Sequence, residues 1–360
     1  MHCKYFPTLV LLAVSVTLSA QSRTKQIEHK IQVNGNNQTH VPANKADAPL
    51  VDWVKQTTRA HSPQSWDLLV QYDLLPSKLQ AVSDNGSTSS YQKPIATYHF
   101  LEGNTKNEML QSMGTNVHEV AHAYFRHNAV QYAIKHERKI DWNNAEGYIY
   151  VSPSQSFFVS FPKQRMFQSK DLATAIPSGL RTLRFPTYIQ GNTSTQSHGV
   201  IGLLNEFHAY YLGAKYSYDM MEVYCEAGPS AAKGFLTWVQ HTQSSMDAYY
   251  ELSFFIREYL LYMSQHHPKS YAMLKGHHPF WQAFRAIDKA FADLNKQYAR
   301  RIRQEIPAIN ANGKNQLAIE GSMLWFDNGS DKRIGVSLTL KAKQTLSDRL
   351  NSKRYDKVME

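Results

Sequence analysis

The stretch Asn116-Val117-His118-Glu119-Val120-Ala121-His122-Ala123 decides how the chain is read. It contains His-Glu-x-x-His. Around it, Leu110, Met113, Val117, Ala121 and Tyr124 recur at the three-and-four spacing of one helical face. A helix in this register places His118 and His122 one turn apart, pointing the same way. Two imidazoles so placed can hold one zinc ion. Glu119 is turned about 100° from His118, yet its side chain is long enough to reach a water beside the metal. The plain alternative is a surface helix with solvated histidines. Val117, Val120 and Ala121 argue against it, because burying them buries the imidazoles, and buried imidazoles need a partner.

Outward from the motif, Pro94 to Leu101 reads as extended and Gly103-Asn104 ends it. Asn104 or Asn107 is placed to cap the metal helix, which runs to about His136. Gly114, one turn before His118, costs about 1 kcal/mol against alanine and suits close packing of a neighbour. Upstream, Pro49 to about Val82 reads as short helices interrupted at Pro63 and Pro76, followed by a loop from Asp84 to Ser90. Downstream, Gly147–Val151 and Ser156–Phe161 read as strands, and Arg181–Gln190 as a further extended piece. Lys163 to Ser197 lacks periodicity and suits either a cleft border or an ordinary connection.

A second informative helix spans about His198 to Lys215. Val200, Leu203, Leu204, Phe207 and Tyr211 form its apolar face, with Glu206 at the edge. Gly199, Gly202 and Gly213 on it allow close approach. Helices follow over Ala231–Gln265 and from Pro279 onward, the latter carrying a stripe from Phe280 to Ile302. Leu317–Phe326 and Ile334–Leu340 flank Asp327-Asn328-Gly329-Ser330 as a hairpin. The expected fold class is α+β and helix-rich.

The chain has 360 residues, 42% hydrophobic and 19% charged, which is globular rather than disordered. Lys4, the apolar run Phe6–Leu18 and the small residues before Gln21 read as a signal peptide over residues 1–20, so export is expected; an uncleaved anchor is the alternative. A polar lead covers 21–48. A catalytic region is expected over 49–230, a helical lobe over 231–310, and a hairpin and tail over 311–360. Cys3 leaves with the signal, so Cys225 has no bridging partner and is expected as a buried free thiol. A net charge of +10 is expected as a solvated basic surface, with association with anionic surfaces as the alternative. No nucleic-acid module is evident. Asn37, Asn85, Asn192 and Asn328 stand in Asn-x-Ser/Thr patterns.

His118-Glu119-x-x-His122 resembles the signature of the zincin metallopeptidases. The metzincin extension fails at Phe125 and Asn128, and the aspzincin aspartate fails at Asn128. Leu203-Leu204-Asn205-Glu206-Phe207-His208-Ala209 resembles the Leu-Asn-Glu-Gly-Phe-Ala segment of the zinc aminopeptidase gluzincins. That resemblance implies Glu206 as third zinc ligand. It is partial: 83 residues separate His122 from Glu206, longer than in those enzymes. Their Gly-x-Met-Glu-Asn element for a free amino terminus is absent, and Tyr210 stands where the thermolysin-like pattern has aspartate. Glu222, Glu226, Glu251 and His198 stay open as third ligands. Tyr210, one turn from Glu206, is a candidate hydroxyl for an oxyanion.

The resemblance implies a zincin-like fold with a mainly helical C-terminal half. It also implies an exported zinc metallopeptidase acting on a protein or peptide. His118, His122 and Glu206 would hold zinc, and Glu119 would serve as general base. The missing amino-terminus element favours an endopeptidase. The other readings are an inactive zinc-stabilised binding protein and a helical surface protein with a coincidental motif.

Overall fold

Prolines and a capping box set the first helices. The structure, a computed structural model, describes residues 47–360 apart from 84, 85, 192, 312, 314, 315, 330, 331 and 339–342. The expected signal peptide, the polar lead to residue 46, and Asn37, Asn85 and Asn192 lie outside the described residues. Helix α1 spans Ala48–His61, and Pro63 opens α2, Pro63–Leu74. Proline is favoured there because the first helical N–H has no partner to lose. Strands β1 (Lys78–Val82) and β2 (Thr88–Gln92) then pair antiparallel. The expected loop from Asp84 to Ser90 is therefore shorter, since Thr88, Ser89 and Ser90 belong to β2.

The metal-motif helix, α3, spans Lys106–Lys135. Its cap is Thr105, not Asn104 or Asn107. Thr105 Oγ1 accepts the Glu108 N–H at 3.2 Å, and Glu108 Oε2 accepts the Thr105 N–H at 3.1 Å. This reciprocal box satisfies two donors that the first turn leaves open. Pro94–Leu101 is a run of turns rather than an extended piece. Its backbone bonds one side chain of α3: Asn116 Nδ2 donates to Thr97 O at 2.9 Å, and Phe100 N–H donates to Asn116 Oδ1 at 3.2 Å.

Strands β3 (Asn144–Ser152) and β4 (Gln155–Pro162) form an antiparallel hairpin lying on α3. Gly147 makes this packing feasible. A Cβ there would sit 1.8 Å from Phe125 Cζ, so only glycine leaves room for the ring. Between Lys163 and His198 the chain makes short helical turns, including a π-turn at Pro186–Gln190. The extended reading of Arg181–Gln190 is corrected. Arg184 is pinned to Glu251 just before this turn, and Pro186 opens it.

Helix α4 spans Gly199–Asp219, α5 Met221–Ala227, α6 Ala231–His266, α7 Pro268–Lys275 and α8 His278–Ala311. Helix α4 packs against both α3 and α6. Sixteen of its 21 residues are buried, so the expected one-sided apolar face is corrected to a helix buried nearly all round, as befits a central position. The C-terminal strands are β5 (Gln316–Glu320), β6 (Met323–Asp327) and β7 (Ile334–Ser337). They form a three-stranded meander rather than one hairpin, because Gly321, at φ 60°, turns the chain inside the expected first strand.

Helices α9 (Lys343–Leu350) and α10 (Asp356–Met359) return the tail to α6. There the buried Glu258 receives Arg354 Nη2 at 2.7 Å and the Tyr355 hydroxyl. One apolar cluster runs from Val54 to Val358. The architecture is α+β and 66% helical, with small antiparallel sheets. Among the described residues, no helix is long and apolar enough to cross a membrane.

Candidate metal centre

Two glycines bring α3 and α4 together. A Cβ on Gly213 would lie 3.3 Å from Gly114 O and 3.4 Å from His118 Cβ; one on Gly114 would lie 3.2 Å from Ser217 Oγ. Larger residues would push the helices apart. The expected close packing at Gly114 is therefore present, and it places Glu206 of α4 opposite the histidines of α3.

The three expected ligands meet. His118 Nε2 and His122 Nε2 are 3.1 Å apart, and Glu206 Oε2 lies 3.4 Å from His122 Nε2. One donor atom from each falls within 4.8 Å of the others. Donors around a tetrahedral zinc with bonds near 2.0–2.1 Å are separated by about 3.3 Å. Glu206 is only 3% exposed, because α4 is buried on this side too; it is not an exposed helix-edge residue. Its Oε2 has no hydrogen-bond partner among the described residues. A buried carboxylate oxygen left so is costly. A cation between it and the two imidazoles would satisfy all three, so the donor set fits zinc.

Electrostatics agrees with this set. His118 is held well below its ordinary value, first by burial, then by His122 and Arg184; a hydrogen bond to the backbone of Ala209 opposes them. The ring is thus neutral, the form that binds a metal. Glu119 is 6% exposed and its Oε1 is buried without a hydrogen-bond partner among the described residues. Burial pushes its carboxyl up to about 7; His122 pulls it down and Glu206 pushes it up.

Tyr210 lies against the cluster. Its ring meets the His118 ring edge-on at 4.6 Å, and its hydroxyl faces the Tyr188 hydroxyl at 3.1 Å. The Arg184 guanidinium covers its ring at 4.5 Å. Tyr210 therefore buttresses His118.

The other third-ligand candidates are engaged elsewhere or stand apart. Glu251 is fully buried and paired with Arg184. Glu222 pairs with Arg301 at 3.1 Å at the surface. Glu226 is exposed, and His198 lies in a cavity wall outside the donor cluster. His208, on α4, ties that helix to β3 through Nε2 and Tyr150 O at 2.6 Å. Cys225 is free but half-buried rather than buried. Burial pushes its thiol up to about 11, which leaves it unreactive at neutral pH.

A cavity of about 400 Å³ opens beside the cluster, with Glu119, His122 and Glu206 in its wall. Sequence reasoning left its opposite walls unassigned. Tyr91 and Trp142 stack there at 5.4 Å, while Arg126, Lys163 and His198 contribute polar surface. One signal was available: Arg126 follows His122 by four residues, on the face that carries both histidines. No family model, curated protein or solved structure matches the chain.

Proposed function

We propose that the chain is a zinc-dependent peptidase, with His118, His122 and Glu206 as metal ligands. The convergence of these three donors, two of them buried, beside a cavity carries the reading. Zinc bound there would polarise a scissile carbonyl, acidify the attacking water and, as a nearby dication, draw Glu119 toward its ionised form. Glu119 lines the cavity next to His122, and its carboxylate would take a proton from water and deliver it to the leaving amine. His118 is held in orientation by the Tyr210 ring and by Ala209, which keeps its Nε2 toward His122. The Tyr91–Trp142 stack offers an apolar surface for a substrate side chain.

The zincin-like character of the fold and export by a signal peptide belong to the same proposal. They rest on the motif resemblance and on the apolar N-terminal run. Metal analysis of the purified protein and digestion of a mixed peptide library, with and without chelator, test the activity. One zinc per chain and chelator-sensitive cleavage are expected. Glu119→Gln should keep the metal and lower kcat by about 10²–10⁴-fold. Unchanged turnover in that variant would remove Glu119 as the base, and a metal-free, inactive protein would sink the reading.

A further inference from the structure

Among the described residues, the cavity beside the proposed metal ligands holds cations with no ion-pair partner. Arg126 lies in its wall and is exposed, and it makes no hydrogen bond or ion pair among the described residues. It sits one helical turn beyond His122, about 6 Å along α3. His198 and Lys163 share that side of the cavity. Arg126 and Lys163 both act on His198, which burial already pushes down to about 4, so its ring is neutral and presents an N–H donor. Lys163 Nζ gives one of its hydrogens to Trp142 O at 3.0 Å and keeps the others.

Apart from Glu119 and Glu206 at the proposed metal site, the acids of the same cavity, Asp141 and Glu146, are hydrogen-bonded. Asp141 Oδ1 accepts the Asn143 N–H at 2.9 Å, and Glu146 Oε1 accepts the Ser160 hydroxyl at 3.0 Å. Glu146 also feels Arg138 and Lys163. An incoming anion would thus meet Arg126 without displacing an acid. Ala129, Val130 and Ile140 add apolar surface to the same cavity.

Resting on the peptidase reading, we infer that Arg126, with His198 and Lys163 beside it, binds a carboxylate of the substrate. The protein would thereby select short peptides carrying that group one or two residues from the scissile bond. An extended peptide advances about 3.3–3.6 Å per residue, so one helical turn spans one to two residues. A planar guanidinium suits a carboxylate because it can bind both oxygens at once. The carboxylate is either the peptide's own C-terminus or an acidic side chain.

The test uses the full chain carrying Glu119→Gln, so that binding is read without turnover. Calorimetry compares acetyl-Ala-Phe-Phe as the free acid with its C-terminal amide. The acid should bind at least about tenfold more tightly. Adding Arg126→Ala should abolish that preference, and Arg126→Lys should restore part of it, with unchanged melting in both. Acetyl-Ala-Phe-Asp amide separates the two sources. Binding as tight as the free acid assigns the site to any nearby carboxylate, whereas binding as weak as the Phe amide assigns it to the C-terminus. Equal affinity for acid and amide, including no binding of either, overturns the inference, as does a preference that survives Arg126→Ala. Failure of the peptidase reading appears separately, as absence of zinc or of cleavage in the unsubstituted protein.

Discussion

Glu206 on α4 and Glu251 on α6 are both buried carboxylates, and both were open as third ligands. Their surroundings separate them. Glu251 receives the Arg184 N–H at 2.9 Å as well as its guanidinium, and Arg184 is fixed further by Ser244 O at 2.7 Å. The Glu206 Oε2 has no such donor and faces two imidazole nitrogens. A buried charge that is fully paired belongs to the scaffold. A buried carboxylate left short of partners, beside other lone pairs, is a candidate place for a cation.

Substitution can break this contrast. Glu206→Gln should produce the largest effect: zinc occupancy and activity fall by more than about 100-fold. The metal-free protein should be no less stable, since an unsatisfied acid has gone. Metal analysis showing full occupancy would take Glu206 out of the site. Glu251→Gln should do the reverse. It strands the Arg184 charge and costs about 3–5 kcal/mol in denaturant unfolding, while the folded fraction keeps its zinc. A stable Glu251→Gln protein would erase the distinction.

A half-buried base extends the comparison. His241, on the same helix as Glu251, faces the Tyr224 hydroxyl at 3.0 Å, and burial pushes it down to about 4. Its folded value lies below the unfolded value near 6.5. Its contribution is therefore complete above pH 6.5 and is lost as pH falls from there toward 4. The loss is at most about 3 kcal/mol. His241→Gln should flatten that limb in unfolding curves taken at pH 7 and 4.5; an unchanged limb would place the sensitivity elsewhere. The smallest effect is expected for Tyr210→Phe. Losing the hydroxyl contact with Tyr188 should cost about 0.5–1.5 kcal/mol with zinc retained. A fall in kcat beyond tenfold would mean that the hydroxyl acts on the reaction and not only on His118.

The parts legible in the sequence are those written locally. The α3 stripe of Leu110, Met113, Val117, Ala121 and Tyr124 is buried as its period predicts, because a 3.6-residue repeat needs no knowledge of distant chain. The β3–β4 pair was equally readable from its aromatic and β-branched run. The Thr105–Glu108 box is equally local, and it out-competes the neighbouring asparagines as the cap. Glu206 was reachable only through a short resemblance, since nothing around it announces a partner 83 residues away. The Arg184–Glu251 pair and the Phe125 ring in the space at Gly147 are long-range contacts with no local pattern. Pro94–Leu101 is not extended because one side chain of α3, Asn116, takes over hydrogen bonds that a strand partner would have made. The isolation of Arg126 is a matter of which acids are already occupied, and only three-dimensional placement reveals that.

The Gly114–Gly213 crossing has one more consequence. The described chain has a single free cysteine, so no covalent link ties α3 to α4. An ion shared by His122 and Glu206 would close a loop of 83 residues, the kind of long closure that most restricts an unfolded chain. It would then act as a removable rivet: drawing it out would loosen the joint between the two central helices as well as silence the chemistry.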